Sequence, residues 1–145
     1  MKALIQRVDR ASVTINGKLF SQISQGLLVL LGVEKGDEKL NADKLAEKLV
    51  KLRIFEDENE KMNKSLLDVS GEMLIVSQFT LCGDCKKGTR PSFDKSAHPE
   101  IANELYEYFI SKIKEYEVPV QTGKFGAMMK VELVNDGPVT FLVEK

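Results

Sequence analysis

The stretch GLLVLLGV, Gly26 to Val33, places Leu27, Leu28, Val29, Leu30 and Leu31 in an unbroken aliphatic run between two glycines. An apolar run of that length, bounded in that way, reads as a β-strand buried on both faces, so the remainder of the chain has to cover it above and below. EMLIVSQF, Glu72 to Phe79, reads as a second strand of the same kind. Ala3 to Val8 and Ala11 to Ile15 are further strands, and Asn16-Gly17 is a hairpin signal that returns the chain through Lys18 to Ile23. Two segments carry helical periodicity. From Asp37 to Arg53, Ala42, Leu45, Ala46, Leu49 and Leu52 fall on one face at spacings of three and four. From about Pro99 to Tyr116, Ile101, Leu105, Phe109 and Ile113 recur every four residues, and Pro99 suits a first helical position. FEDENEKMNKS is a polar loop, Cys82 to Ser92 a glycine-bearing loop and Val118 to Gln121 a short strand. Met128 to Val134 and Val139 to Val143 are two closing strands. The order of elements predicts an α/β fold with a mixed sheet and both main helices packed on one side.

At 145 residues the chain is expected to form one domain, 1–145. With 43% hydrophobic and 30% charged residues it has the makeup of a globular protein. No apolar run approaches the roughly 20 residues of a membrane span. MKALIQRVDR has charges inside its apolar run and is not a signal peptide, and two cysteines without an export signal point to a reducing cytoplasm. A net charge of −1 exerts no general attraction on nucleic acid, so RNA binding would require a local patch.

Side-chain nucleophilic catalysis is poorly provided for. Ser77 and Thr80 sit at the end of a buried strand, but the single histidine, His98, stands before Pro99 as a helix-start residue, and there is no GxSxG. Cys82-Gly83-Asp84-Cys85 has CxxC spacing, yet two cysteines and one histidine do not complete a structural zinc site, and no helix opens behind the pair; loop cysteines are the plainer reading. There is no P-loop, no GxGxxG and no acidic or histidine cluster with metal-ligand spacing, so neither cofactor nor metal is expected. Lys86-Lys87-Gly88-Thr89-Arg90 brings three cations together, either as a solvated loop or as a phosphate contact. Gly137-Pro138 interrupts an otherwise alternating strand pattern, where proline cannot donate to a ladder.

The motifs SQFTL, Ser77 to Leu81, and NDGPVT, Asn135 to Thr140, resemble the two signatures of the D-aminoacyl-tRNA deacylases. QRV at Gln6, GLLVLLGV at Gly26, LRIFED at Leu52, RPSF at Arg90 and TGKFGA at Thr122 follow the order and spacing of that family, so the resemblance spans essentially the whole chain. It implies a partial-barrel homodimer that removes D-amino acids, and glycine, esterified to the terminal adenosine of tRNA, with no involvement of DNA or membrane. It implies further that Gly137 and Pro138 form a cis peptide whose carbonyls enter the other subunit's site and exclude L side chains. By the same resemblance Arg7 holds that motif by donating to its carbonyl. Ser77, Gln78, Phe79 and Thr80 line the catalytic pocket, with the Phe79 backbone N–H near the scissile ester, and Phe125 and Met129 pack around the adenine. Thr80 reads as a strand-end hydroxyl rather than a nucleophile, leaving the ribose 2′-hydroxyl to assist water. After SQFTL the family continues with an aromatic residue and a short polar stretch where this chain has Cys82 to Cys85. Two alternatives stand beside this reading: a non-catalytic RNA-binding module using the basic loop, and a relative with a trans Gly-Pro and relaxed selection towards L-alanine.

Overall fold

In the computed structural model, which describes residues 1–145, the run Leu27 to Leu31 lies in β3 (Gly26–Gly32). Strand β3 is flanked on one side by β1 (Lys2–Ile15), antiparallel, and on the other by β6 (Glu72–Ser77), parallel. The sheet runs β2 (Lys18–Ile23), β1, β3, β6, β7 (Val120–Thr122), with β8 (Lys130–Glu144) added antiparallel to β1. It is therefore mixed, as the α/β reading requires.

Alternation along the strands sorts the core into two layers. Leu27, Val29 and Leu31 pack with Ala3, Ile5, Met73 and Ile75 beneath the two helices. These are α1 (Lys39–Lys51), which buries Ala42, Leu45, Ala46, Leu49 and Val50, and α2 (Pro99–Lys114), which buries Leu105, Tyr106, Phe109, Ile110 and Ile113. Both helices cover the same face. On the other face Leu28, Leu74 and Val76 meet Val8, Ala11, Val13 and Ile23. That layer is enclosed by the curl of the sheet itself. The Ser21 hydroxyl on β2 donates to the Thr122 carbonyl on β7 at 2.7 Å, so the two ends of the strand order come together in a nearly closed barrel. Gly26 marks the tightest strand approach: a Cβ there would lie 1.9 Å from the Glu72 carbonyl oxygen. No helix is long and apolar enough to cross a membrane.

Several local expectations change. The polar stretch FEDENEKMNKS holds a small hairpin, β4 (Phe55–Glu56) with β5 (Met62–Lys64). Its turn is organised by Asp57, whose carboxylate accepts from the Asn59 and Lys61 backbone N–H groups and the Asn63 amide. The Asn63 bond, followed by the two backbone bonds, holds the Asp57 carboxyl below the usual carboxylate range. The helices are shorter than their patterns suggest at three of their four ends, and Ile101, expected in the buried stripe of α2, is exposed. The two segments expected near the start are one continuous strand, β1. The two closing strands are likewise one, β8, which runs through Gly137 and Pro138 because its partner β1 lies alongside on both sides of them. Strand β6 stops at Ser77, and Phe79 opens a single 3₁₀ turn, Phe79–Cys82.

Candidate active site

Two features gather the residues that the sequence singles out. The first is a bulge in β8. Gln6 pairs with Thr140 and Val8 with Asn135, so two steps of β1 face five of β8 and three residues are extra. Arg7 lies opposite this excess and is 3% exposed. Its Nε donates to the Asp136 carbonyl at 2.9 Å, and one terminal nitrogen donates to the Ile54 carbonyl at 2.7 Å. Nε also lies 3.0 Å from the Asp136 carboxylate, and the other terminal nitrogen lies 3.5 Å from Glu56. The guanidinium thus replaces ladder bonds that the bulge removes. Its contact is with the carbonyl preceding Gly137. Gly137 itself has φ of +149°, and a Cβ there would meet the Val139 backbone nitrogen and Cγ2 at 2.6 Å, so only glycine fits. The Gly137–Pro138 peptide bond is cis.

The second feature is the end of β6. Ser77 pairs with Leu31, and the Gln78 backbone N–H donates to the Leu31 carbonyl at 2.8 Å. The N–H groups of Phe79 and Thr80 open the 3₁₀ turn and so have no partner within it; none of the chain's turn, loop or cap backbone bonds uses them. The Phe79 ring is 56% exposed and rests edge-on against Phe93, with centroids 5.1 Å apart. The Thr80 hydroxyl accepts from the Gln78 side-chain amide, and no histidine, lysine or carboxylate is hydrogen-bonded to it. His98 is at the N-cap of α2, without a side-chain cap bond.

Phe125 and Met129 join this second feature. Strand β7 leads into Gly123, whose N–H donates to the Ile75 carbonyl at 2.9 Å. The buried Tyr106 hydroxyl donates to the same carbonyl at 2.8 Å, and burial pushes that phenol well above its ordinary range, so it stays a donor. Phe125 leans on the Tyr106 ring at 5.9 Å. Met129 packs against the Leu28–Val76 layer and lies so close to Gly123 that a Cβ there would be 2.8 Å from the sulfur. Phe125 and Met129 thus lie, like Ser77 to Thr80, towards the C-terminal end of β6.

The two features are not brought together within one chain. Ser77 is level with Leu31 and Ala3, whereas the bulge is level with Arg7, four residues further along β1. Strands β3 and β1 lie between β6 and β8. At about 3.3 Å per residue and 4.8 Å per strand, the separation is roughly 15–20 Å.

Beyond the turn, a two-way bridge between Asp84 and Ser92 closes the loop that carries Lys86, Lys87 and Arg90. None of these three cations forms a salt bridge. With Lys95, Ser92, Asp84 and Asp94 they line an open hollow of about 330 Å³. Cys82 and Cys85 are both free. Cys82 is buried, which pushes its thiol up, and Cys85 is exposed. Sequence reasoning assigned no role to Asn135, Tyr106 or Phe93. An Asn two residues before Gly-Pro is a signal for side-chain-to-backbone bonding that could have found the first of these.

Residues 4–144 match the family model described as D-Tyr-tRNA(Tyr) deacylase. A D-aminoacyl-tRNA deacylase of Geotalea daltonii is 64% identical over 144 residues, covering 99% of this chain and 96% of the relative. One from Clostridioides difficile is 55% identical, with 99% and 97% covered. Among solved structures, one described as c-Myc DNA Unwinding Element Binding Protein superposes with a TM-score of 0.94 at 42% identity, covering 100% of this chain and 99% of that one. A probable eukaryotic D-amino acid tRNA deacylase superposes with a TM-score of 0.82 at 17% identity, with 99% and 98% covered, a likeness of fold.

Proposed function

The chain belongs to the D-Tyr-tRNA(Tyr) deacylase family, and we propose that it hydrolyses the ester joining a D-amino acid to the terminal adenosine of tRNA, acting as a homodimer in the cytoplasm. The observation that carries the reading is the pair of half-sites: a turn with unused backbone donors, and a bulge whose carbonyls stand roughly 15–20 Å away in the same chain. A second copy lets the bulge of one subunit face the turn of the other.

In such a site the adenine packs on Phe125 and Met129, and the ester carbonyl lies at the Phe79 N–H. Water, assisted by the ribose 2′-hydroxyl, adds to that carbonyl carbon. Backbone donors stabilise the oxyanion without reorganising. The bond to the ribose 3′-oxygen then breaks, that oxygen takes up a proton, and the free D-amino acid and tRNA leave. Thr80 has no base to make it nucleophilic and acts as a polar neighbour. The Gly137 and Pro138 carbonyls of the other subunit approach the substrate Cα, where hydrogen fits and an L side chain clashes. Glycine presents nothing to exclude, so glycyl-tRNA is also a substrate.

Single-turnover deacylation of matched D- and L-aminoacyl-tRNA tests the reading. Rapid cleavage of the D ester alone is expected; equal rates would remove the chiral filter, and no cleavage of either would remove the enzyme. A tRNA ending in 2′-deoxyadenosine should bind and hardly react. The loop of Lys86, Lys87 and Arg90 is the proposed docking point for the tRNA backbone. Every phosphate that the triple alanine variant leaves without a cation should flatten the log-affinity against log-salt slope by about 0.7–0.9. Because one solved relative is described as DNA-binding, duplex DNA belongs in the same titration. DNA bound more tightly than tRNA would favour that second reading.

A further inference from the structure

Asn135 is the residue of β8 at which pairing with β1 stops before the bulge, and its side chain reaches across to the place where pairing resumes. Its Oδ1 accepts from the Val139 backbone N–H at 2.7 Å. Its Nδ2 donates to the Val139 carbonyl at 3.2 Å and to the Thr140 hydroxyl at 3.1 Å. One amide therefore satisfies both polar backbone groups of Val139, which no β1 residue pairs.

The Val139 N–H belongs to the peptide unit that begins with the Pro138 carbonyl. In a planar trans peptide the N–H and the carbonyl point in opposite directions, so fixing one fixes the other. Arg7 acts in the same way on the Asp136–Gly137 unit by holding the Asp136 carbonyl, which shares its plane with the Gly137 N–H. The Gly137–Pro138 unit lies between these two anchored planes. Proline has no N–H by which that unit could be held directly.

We propose that Asn135 is a positioning residue for chiral selection: by accepting the Val139 N–H it aims the Pro138 carbonyl at the substrate Cα and, together with Arg7, fixes the filter from both ends. This rests on the reading of Gly137 and Pro138 as the filter. A misplacement on the order of 1 Å at such a point can cost about 10²-fold in rate, and a loosened filter admits the L ester as well as slowing the D ester.

The experiment compares the ratio of D to L single-turnover rates in wild type, Asn135→Ala, Asn135→Asp and Thr140→Val. Loss of stability alone would lower both rates together and leave the ratio unchanged, so the ratio reports positioning. Asn135→Ala is expected to lower it at least tenfold. Asn135→Asp keeps an acceptor for Val139 N–H and should fall between Ala and wild type. Thr140→Val removes only a peripheral partner and should leave the ratio within about twofold. If Asn135→Ala does not fold, Asn135→Ser, whose hydroxyl is too short to reach Val139, carries the same expectation. A wild-type ratio in the Ala or Ser variant overturns the proposal, as does an Asp variant that falls as far as Ala. Wild-type protein that cleaves D and L esters alike overturns the filter reading, and this proposal with it.

Discussion

The turn after β6 and the bulge in β8 solve opposite problems. The turn offers backbone N–H groups, and its shape comes from backbone-to-backbone bonds: Gly83 to Thr80 and Leu81 to Gln78 within it, and Gln78 to the Leu31 carbonyl of the neighbouring strand. The bulge offers backbone carbonyls, and ladder bonds do not hold it, because three extra residues have left their ladder. Its shape depends on the side chains of Arg7 and Asn135. Donors placed by backbone bonds tolerate changes in nearby side chains; acceptors placed by side chains do not. The turn should therefore be robust to mutation and the bulge brittle.

The sharpest way to break this contrast is Gly137→Ala. The added methyl would have to sit 2.6 Å from Val139 atoms at φ of +149°, so the bulge must shift. D-ester cleavage should fall by about 10²-fold or more in single turnover, and normal rates with normal D/L discrimination would show that the bulge is not a filter. Arg7→Lys comes next. A lysine cannot reach the Ile54 and Asp136 carbonyls with one planar fork, and an orphaned buried acceptor costs about 1–3 kcal/mol, so urea unfolding should show a loss of roughly 2 kcal/mol. Tyr106→Phe probes the support behind the turn. Removing the donor to the Ile75 carbonyl should cost about 1 kcal/mol by the same measurement, with selectivity unchanged. The smallest effect belongs to Thr80→Ala, which should retain activity within a few-fold, because the turn contributes backbone groups. Abolished turnover with binding intact, and normal cleavage of the 2′-deoxy substrate, would make Thr80 the nucleophile.

Legibility in the sequence divides along the same line. Leu27 to Leu31 announce a buried strand because burial on both faces leaves no polar position. Asn16-Gly17 announces its hairpin, and both residues do adopt positive φ. The β4–β5 hairpin was hidden, since its strands are two and three residues long and its turn is held by Asp57 rather than by apolar alternation. Phe79 looked like the end of a strand because it is apolar, but it opens the turn with its ring largely in solvent. Gly137-Pro138 looked like a break between strands. Local rules favour a break there, and the long pairing of β1 with β8 overrides them. The resemblance implies one site for Ser77 to Thr80, Phe125 and Met129, and the structure sets them towards the same end of β6. It could not disclose Asn135, whose role depends on where Val139 points.

The β1–β8 ladder also constrains the order in which this protein comes into being. Synthesis runs from the N-terminus, so β1 (Lys2–Ile15) leaves the ribosome long before Lys130–Glu144 exists to pair with it. β3 and β6 can dock on β1 early and build the helix-covered core around it. Throughout that interval the Arg7 guanidinium has Ile54 to bond but not Asp136, its partner 129 positions away. Contacts of such separation close late. A nascent chain can thus acquire its core and the turn after β6 while the bulge is still unmade, and under the proposed function selectivity would be the last property the molecule gains.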